Sequence, residues 1–253
     1  MSTSVILPVF NGEAFIEKYV CEITDYLRSH LRDAEVLVVN DGSTDRTHEI
    51  LSSLKVPQFR YLYAEVNRGK FGALKLGMQA TSSEVRMFLD ADLPFDLSII
   101  PYAAKLIQGG CHVVMGDRTL AESEILVPRS LARKIASWGF ATMTRQLLAG
   151  GVFDTQCGFK AFHGAAAGEL FRLVSTDSFS GDVELIYLAL KYNLATRRIP
   201  VRFVRDNPSS IRVIRDSLTM LQQAITVPSR WYLGGYRSEL LQSLGTQRYW
   251  ESP

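Results

Sequence analysis

The chain has 253 residues, 47% of them hydrophobic and 21% charged, with a formal net charge of +2. That balance suits one large α/β domain with a sizeable core, or two small ones, and gives no ground for a nucleic-acid partner. The three cysteines, Cys21, Cys111 and Cys157, are odd in number, widely spaced and outside any Cys-x-x-Cys pair, which argues against a disulfide scaffold or a zinc site and for a reducing, cytoplasmic compartment. The N-terminus enters a strand without a basic, apolar leader, and no apolar run approaches the roughly 18 to 20 residues of a membrane span. A soluble protein, or one lying on a membrane surface, is expected. Charge is uneven: six arginines lie between Arg197 and Arg215 against Asp206 alone.

In chain order, Ser4–Val9 reads as a first strand, turned by Asn11-Gly12, and apolar residues from Phe15 to Leu27 follow at helical spacing. Glu35–Val39 is a second strand, ending in Asn40-Asp41-Gly42-Ser43-Thr44-Asp45, with a helix expected from about Thr44 to Leu54 because Ser and Thr are natural N-caps. Phe59–Leu62 is a short third strand, and a helix runs from Lys70 to about Ala80. A fourth strand starts at Val85 and ends in Asp90-Ala91-Asp92, a helix covers about Leu97–Gln108 and stops at Gly109-Gly110, and His112–Met115 is a further strand. Helices are expected over Leu131–Leu148, Val183–Tyr192 and Ile211–Thr226. A late strand, Thr196–Val204, contains Pro200 and so belongs at an edge or a bulge. This alternation predicts a doubly wound, mostly parallel sheet in a single domain over 1–227. The aromatic tail 228–253 is expected either to pack on it or to meet a membrane.

In such a sheet every strand-to-helix loop of the first half opens on one edge, where ligands bind. Asn11, Asp41, Arg68 with Lys70, and Asp90 with Asp92 therefore converge. Along an extended chain Asp90 and Asp92 point the same way. Two hard oxygen donors suit Mg²⁺ or Mn²⁺ completed by substrate phosphates, while a pair of solvated acids at a strand end fits the same residues. Asp41 is either an acceptor for a nucleotide's base or ribose, or a turn and cap residue. Lys70, between Gly69 and Gly72, is placed to reach a phosphate. Asp182 and Glu184 offer either a general base or anchors for basic side chains, and Cys157 reads as a packed thiol. Arg129, Arg133, Lys134 and Arg145 sit among apolar residues in a basic amphipathic helix, which either lies on an anionic membrane or covers the core.

Ile6–Glu13, Val39–Asp45, Asn67–Ala73 and Leu89–Asp92 resemble the ordered motifs of family-2 glycosyltransferases of the GT-A fold. Val114–Arg118, Asp154–Lys160, Phe179–Glu184 and Ser209–Arg212 resemble the branch holding dolichyl-phosphate glucose and mannose synthases. The resemblance spans about Ser4 to Leu221. It implies an enzyme that transfers a hexose, with inversion, from a nucleotide sugar, UDP-glucose first and GDP-mannose as the alternative, to a polyprenyl phosphate at the cytoplasmic face of a membrane. Pro8, Asn11 and Asp41 would line the nucleotide pocket, Lys70 would meet the diphosphate, and Asp90 and Asp92 would hold Mg²⁺ or Mn²⁺. Arg118, with Arg133, would face the acceptor phosphate. Pro94 stands where mannose synthases commonly carry Gln, which leaves the metal one protein ligand fewer or the donor a different sugar. Two rival readings keep part of this assignment: transfer to a sugar hydroxyl, and a nucleotide-sugar binder without activity.

Overall fold

The structure, a computed structural model, describes residues 1–127, 154–177, 181–205 and 226–245. The helix expected over Leu131–Leu148, with Arg129, Arg133, Lys134 and Arg145, lies outside the described residues. So do Ser209–Arg212, the helix expected over Ile211–Thr226 up to its last residue, and the end of the tail.

The strands are β1 Thr3–Val9, β2 Ala34–Asp41, β3 Phe59–Ala64, β4 Val85–Leu89, β5 Val113–Asp117, β6 Glu124–Ile125, β7 Phe159–His163, β8 Thr196–Pro200 and β9 Arg202–Phe203. The helices are α1 Ile16–His30, α2 Thr47–Ser53, α3 Lys70–Gln79, α4 Ile99–Gln108, α5 Gly164–Leu173, α6 Gly181–Lys191 and α7 Glu239–Leu244, with a further helical stretch at 226–232. Seven strands form one sheet in the order β3-β2-β1-β4-β7-β5-β8, and β6 pairs with β9 in a small second ladder. β1 sits inside the sheet and is apolar on both faces. Val5, Leu7 and Val9 join the core beneath α1 and α4, while Ile6 joins the opposite core with Phe71, Phe88 and Phe171. Burying both faces of a strand requires such a continuous apolar run. On α1 the expected helical stripe is the buried face: Ile16, Tyr19, Val20, Ile23 and Leu27.

The sheet is mostly parallel, as expected, and the second half adds detail to it. Within the seven-stranded sheet β7 alone runs against the rest, antiparallel to both β4 and β5, because direction is set by strand pairing, which local residue pattern does not encode. It is followed at once by α5, a helix the hydrophobic spacing did not single out. The late strand divides where Pro200 ends β8 at the sheet edge, and Val201 crosses to the second ladder: its amide donates to Ser123 Oγ (3.0 Å) and its carbonyl accepts from Glu124 N (3.0 Å). The described part of the tail packs on the domain. Trp231 lies edge-on to Tyr192 with ring centroids 5.1 Å apart, and Tyr236 and Leu241 enter the core under α5 and α6.

Candidate active site

β1 and β4 are parallel neighbours, but the chain leaves β1 toward β2 and leaves β4 toward β5 on the far side. The carboxyl ends of β1 and β4 therefore flank the crevice where an open α/β sheet binds ligands. Three loops are stitched together along it. Asn11, held at a positive φ of 54°, accepts from Thr44 N through its side chain (2.8 Å), and its own amide donates to Ser43 Oγ (2.9 Å). Glu13 accepts from Arg46 N (2.9 Å). Pro8, partly buried near the end of β1, lies in register with Val39.

The turn at the end of β2 is tied by Asn40, whose side-chain oxygen accepts from Ser43 N, three residues on (3.0 Å). The turn needs a left-handed residue, Gly42 at φ 68°, and a Cβ there would stand 2.7 Å from Asn67 N. Asp41 is neither turn nor cap. It is buried, and it accepts from Arg68 N in the next loop (2.8 Å). Burial raises its carboxyl above the ordinary value, against the lowering effect of Arg68. The helix expected from Thr44 begins at Thr47, where Asp45 accepts from the Thr47 amide (3.0 Å) and hydroxyl (2.5 Å).

Lys70 opens α3 behind Gly69, which takes φ 82°. Its side chain is mostly buried, and Nζ pairs with Asp90 Oδ1 at 2.7 Å while lying 5.7 Å from the Phe88 ring centroid. Burial opposes the charge of Lys70, but Asp90 and Asp182 outweigh it and keep the ammonium above its ordinary value. β4 stops at Leu89, and Asp90–Leu93 form a turn closed by Leu93 N donating to Asp90 O (3.0 Å), with Leu93 at φ 44°. The Asp90-Ala91-Asp92 motif is thus a turn rather than an extended strand end, and the alternation argument for a shared side does not apply. Asp92 is half-buried in that turn.

The reversed direction of β7 brings the loop before it, 154–158, to the same edge. Asp90 N donates to Gly158 O (3.2 Å), and a Cβ on Gly158 would stand 1.9 Å from Asp90 Oδ2. At the end of β5, Arg118 grips Asp154 through Nε (2.7 Å) and Nη2 (2.6 Å), and its amide donates to the same carboxylate (2.9 Å). Burial disfavours both charges, yet the pair overcomes it: Arg118 is held above and Asp154 below the ordinary range. Lys160 is fully buried and donates to Asp182 Oδ1 (2.5 Å) and to the carbonyls of Thr155 (3.1 Å) and Cys157 (3.0 Å). Burial pushes the Cys157 thiol up to about 12, in keeping with a packed group. Asp182 and Glu184 are both buried at the start of α6 and engaged as anchors, Asp182 by Lys160 and Glu184 by Ser175, Thr176 and Tyr236.

The structure therefore gathers Asn11, Asp41, Lys70, Asp90, Asp92 and Arg118 along one edge, and sets Asp182 and Glu184 behind it. Arg133 lies outside the described residues. Sequence reasoning passed over Lys160 and Asp154 as individual actors. The available signal was a lysine within the apolar run Phe159–Phe162, which a buried strand tolerates only with a partner.

A sheet of this order, with acids and a lysine at its switch point, has the architecture of GT-A transferases. Residues 4–171 match the family model described as "Glycosyl transferase family 2", and the chain belongs to that family. It is a glycosyltransferase. Among its relatives, the dolichyl-phosphate beta-glucosyltransferase of Dictyostelium discoideum is 27% identical over 91% of this chain and 75% of its own length. The human enzyme of that name is 28% identical over 93% and 78%. Among solved structures, glucosyl-3-phosphoglycerate synthase of Mycobacterium tuberculosis in complex with UDP superposes with TM-score 0.61 at 21% identity, covering 94% of this chain and 82% of that one. The same enzyme with Mn²⁺, UDP and phosphoglyceric acid gives 0.60 at 22%, covering 90% and 77%. At that identity the likeness speaks for the fold.

Proposed function

We propose that this glycosyltransferase moves a glucosyl unit from UDP-glucose to a polyprenyl phosphate, with inversion at the anomeric carbon. The observation that carries the reading is the Lys70–Asp90 pair at the mouth of the switch point, flanked by Asp41 on one side and Arg118 on the other. The names of the relatives support the donor sugar and the lipid acceptor, and the UDP complexes of the structural neighbours support the nucleotide. In this reading Pro8, Asn11 and Asp41 border the nucleoside, Lys70 meets the diphosphate, and Arg118 with Arg133 receives the acceptor phosphate.

The residues present fit a divalent cation. Asp90 already holds a positive group at 2.7 Å, Gly158 leaves room for its carboxylate, and Asp92 is two residues away. Among the described residues no cluster of three or more acidic, His or Cys groups forms. With two carboxylates from the protein, Mg²⁺ or Mn²⁺ would complete its shell with phosphate oxygens. Held by Asp90 and Asp92, the ion would neutralise charge growing on the leaving diphosphate. Lys70 adds a second cation there. An ionised acceptor phosphate needs to be positioned rather than deprotonated, and that matches a site edge whose two rear carboxylates are already occupied. A sugar hydroxyl would instead demand a free carboxylate base. Among the described residues no helix is long and apolar enough to cross a membrane.

The test is transfer from a panel of UDP- and GDP-sugars to a short polyprenyl phosphate, with and without Mn²⁺. Metal-dependent transfer from UDP-glucose is expected, and Asp92→Asn should abolish it while the melting temperature stays put. Transfer from GDP-mannose would move the donor, and transfer only to sugar hydroxyls would overturn the acceptor.

A further inference from the structure

Glu184 and Tyr236 both lie beyond the stretch matched by the family model, yet a short chain of contacts joins them to the lysine at the mouth of the site. Glu184 has no solvent exposure. Its Oε1 accepts from Ser175 N (2.9 Å), Ser175 Oγ (2.7 Å) and Tyr236 OH (2.5 Å), and its Oε2 accepts from Thr176 N (3.2 Å). Four donors on a carboxylate with about four acceptor positions leave little capacity for taking a proton from a substrate. Arg230, from the same C-terminal segment as Tyr236, stands 3.8 Å from Oε1.

The backbone that Glu184 fixes continues into Asp177, and Asp177 closes on α3. Its carbonyl accepts from Phe71 N (3.1 Å), its carboxylate pairs with Lys75 (2.6 Å), and a Cβ on Gly69 would lie 2.6 Å from that carbonyl oxygen. From the other side Gly181 presses on the Phe71 ring, leaving no room for a Cβ, which would stand 2.2 Å from it. Lys70 lies between the two clamped residues, Gly69 and Phe71.

We propose that Tyr236, acting through Glu184, is a positioning residue for Lys70: the C-terminal segment locks residues 175–177 against the first turn of α3 and so sets where the ammonium meets a diphosphate. The proposal rests on the reading of Lys70 given above. Tyr236 is well suited to the task because its ring is buried and its carbonyl is held by the Tyr192 hydroxyl. Tyr236→Phe keeps that packing and withdraws one donor from a buried carboxylate.

Calorimetry on the full chain with Mn²⁺, comparing UDP with uridine, tests this. Tyr236→Phe and Ser175→Ala are expected to weaken UDP about three- to tenfold, the equivalent of one net hydrogen bond, and to leave uridine within about twofold. Amide exchange over Gly69–Leu74 should quicken in both variants. A merely structural role would lower the melting temperature and weaken both ligands alike, and that result overturns the proposal. Lys70→Ala separates the two layers of the argument. If it selectively loses UDP while Tyr236→Phe does not, the positioning role fails and Lys70 keeps its place. If it loses no selectivity, both fail. Should Tyr236→Phe not fold, Ser175→Ala decides.

Discussion

From β1 to β4 the loops reach the site edge because parallel strands share a direction. They are fastened there by side chains bonding to neighbouring backbone amides: Asn11 to Thr44, Glu13 to Arg46, Asp41 to Arg68. The 154–158 loop reaches the same edge because β7 runs the other way, and it is fastened by charges taken out of water. Lys160 with Asp182 and Arg118 with Asp154 bracket it, and Arg198 with Asp117 secures the end of β5 beside it. Backbone-directed bonds of the first kind contribute modestly one at a time and share the load. A buried ion pair is different: intact, it gives little net stability, but losing one partner strands a charge. The first half of the site should therefore degrade gradually under mutation, and the second half abruptly.

The largest effect is expected for Lys160→Met, which leaves Asp182 buried and unpaired and should cost about 3 to 5 kcal/mol in denaturant unfolding. Lys160→Met with Asp182→Leu should recover part of that stability. If the single variant costs no more than the double, the loop does not depend on the pair.

Asp154→Asn comes next, at about 1.5 to 3 kcal/mol for charge-assisted bonds, and it carries a pH signature. Burial alone would raise the Asp154 carboxyl, but Arg118 holds it below the ordinary range. Its contribution is therefore complete above the unfolded value of about 3.9. It is lost as pH falls through the lower folded value. The variant should lack that acid limb in a stability profile from pH 6 to pH 2, and a profile parallel to that of the unmodified chain would remove Asp154 from the account.

The smallest effect belongs to the other half. Asn11→Ala should cost about 1 kcal/mol, because Glu13 and Ser43 continue to hold the loops around it. A loss as large as that of Lys160→Met would erase the contrast between the halves.

Much of the first half was legible from residue order. Short apolar runs, glycines at turns and the placing of Asn11, Asp41, Lys70 and Asp90 after successive strands need only local geometry and a shared strand direction. The family motifs carried the same information forward to Arg118. Within that half, what local pattern misjudged was detail that depends on neighbours. Asp41 could be read as a nucleotide acceptor or as a turn and cap residue until the next loop supplied Arg68 N, and Asp90-Ala91-Asp92 looked extended until Asp90–Leu93 closed as a turn. The second half was decided by tertiary structure. The direction of β7 follows from which strands it pairs with, so nothing in Phe159–His163 announces that its preceding loop will face Asp90. Asp182 and Glu184 read as possible bases because an acid's spacing along a helix does not reveal its partners. Their partners, Lys160 and Tyr236, lie 22 and 52 residues away and meet them only in the folded chain, where water is replaced by a fixed set of donors.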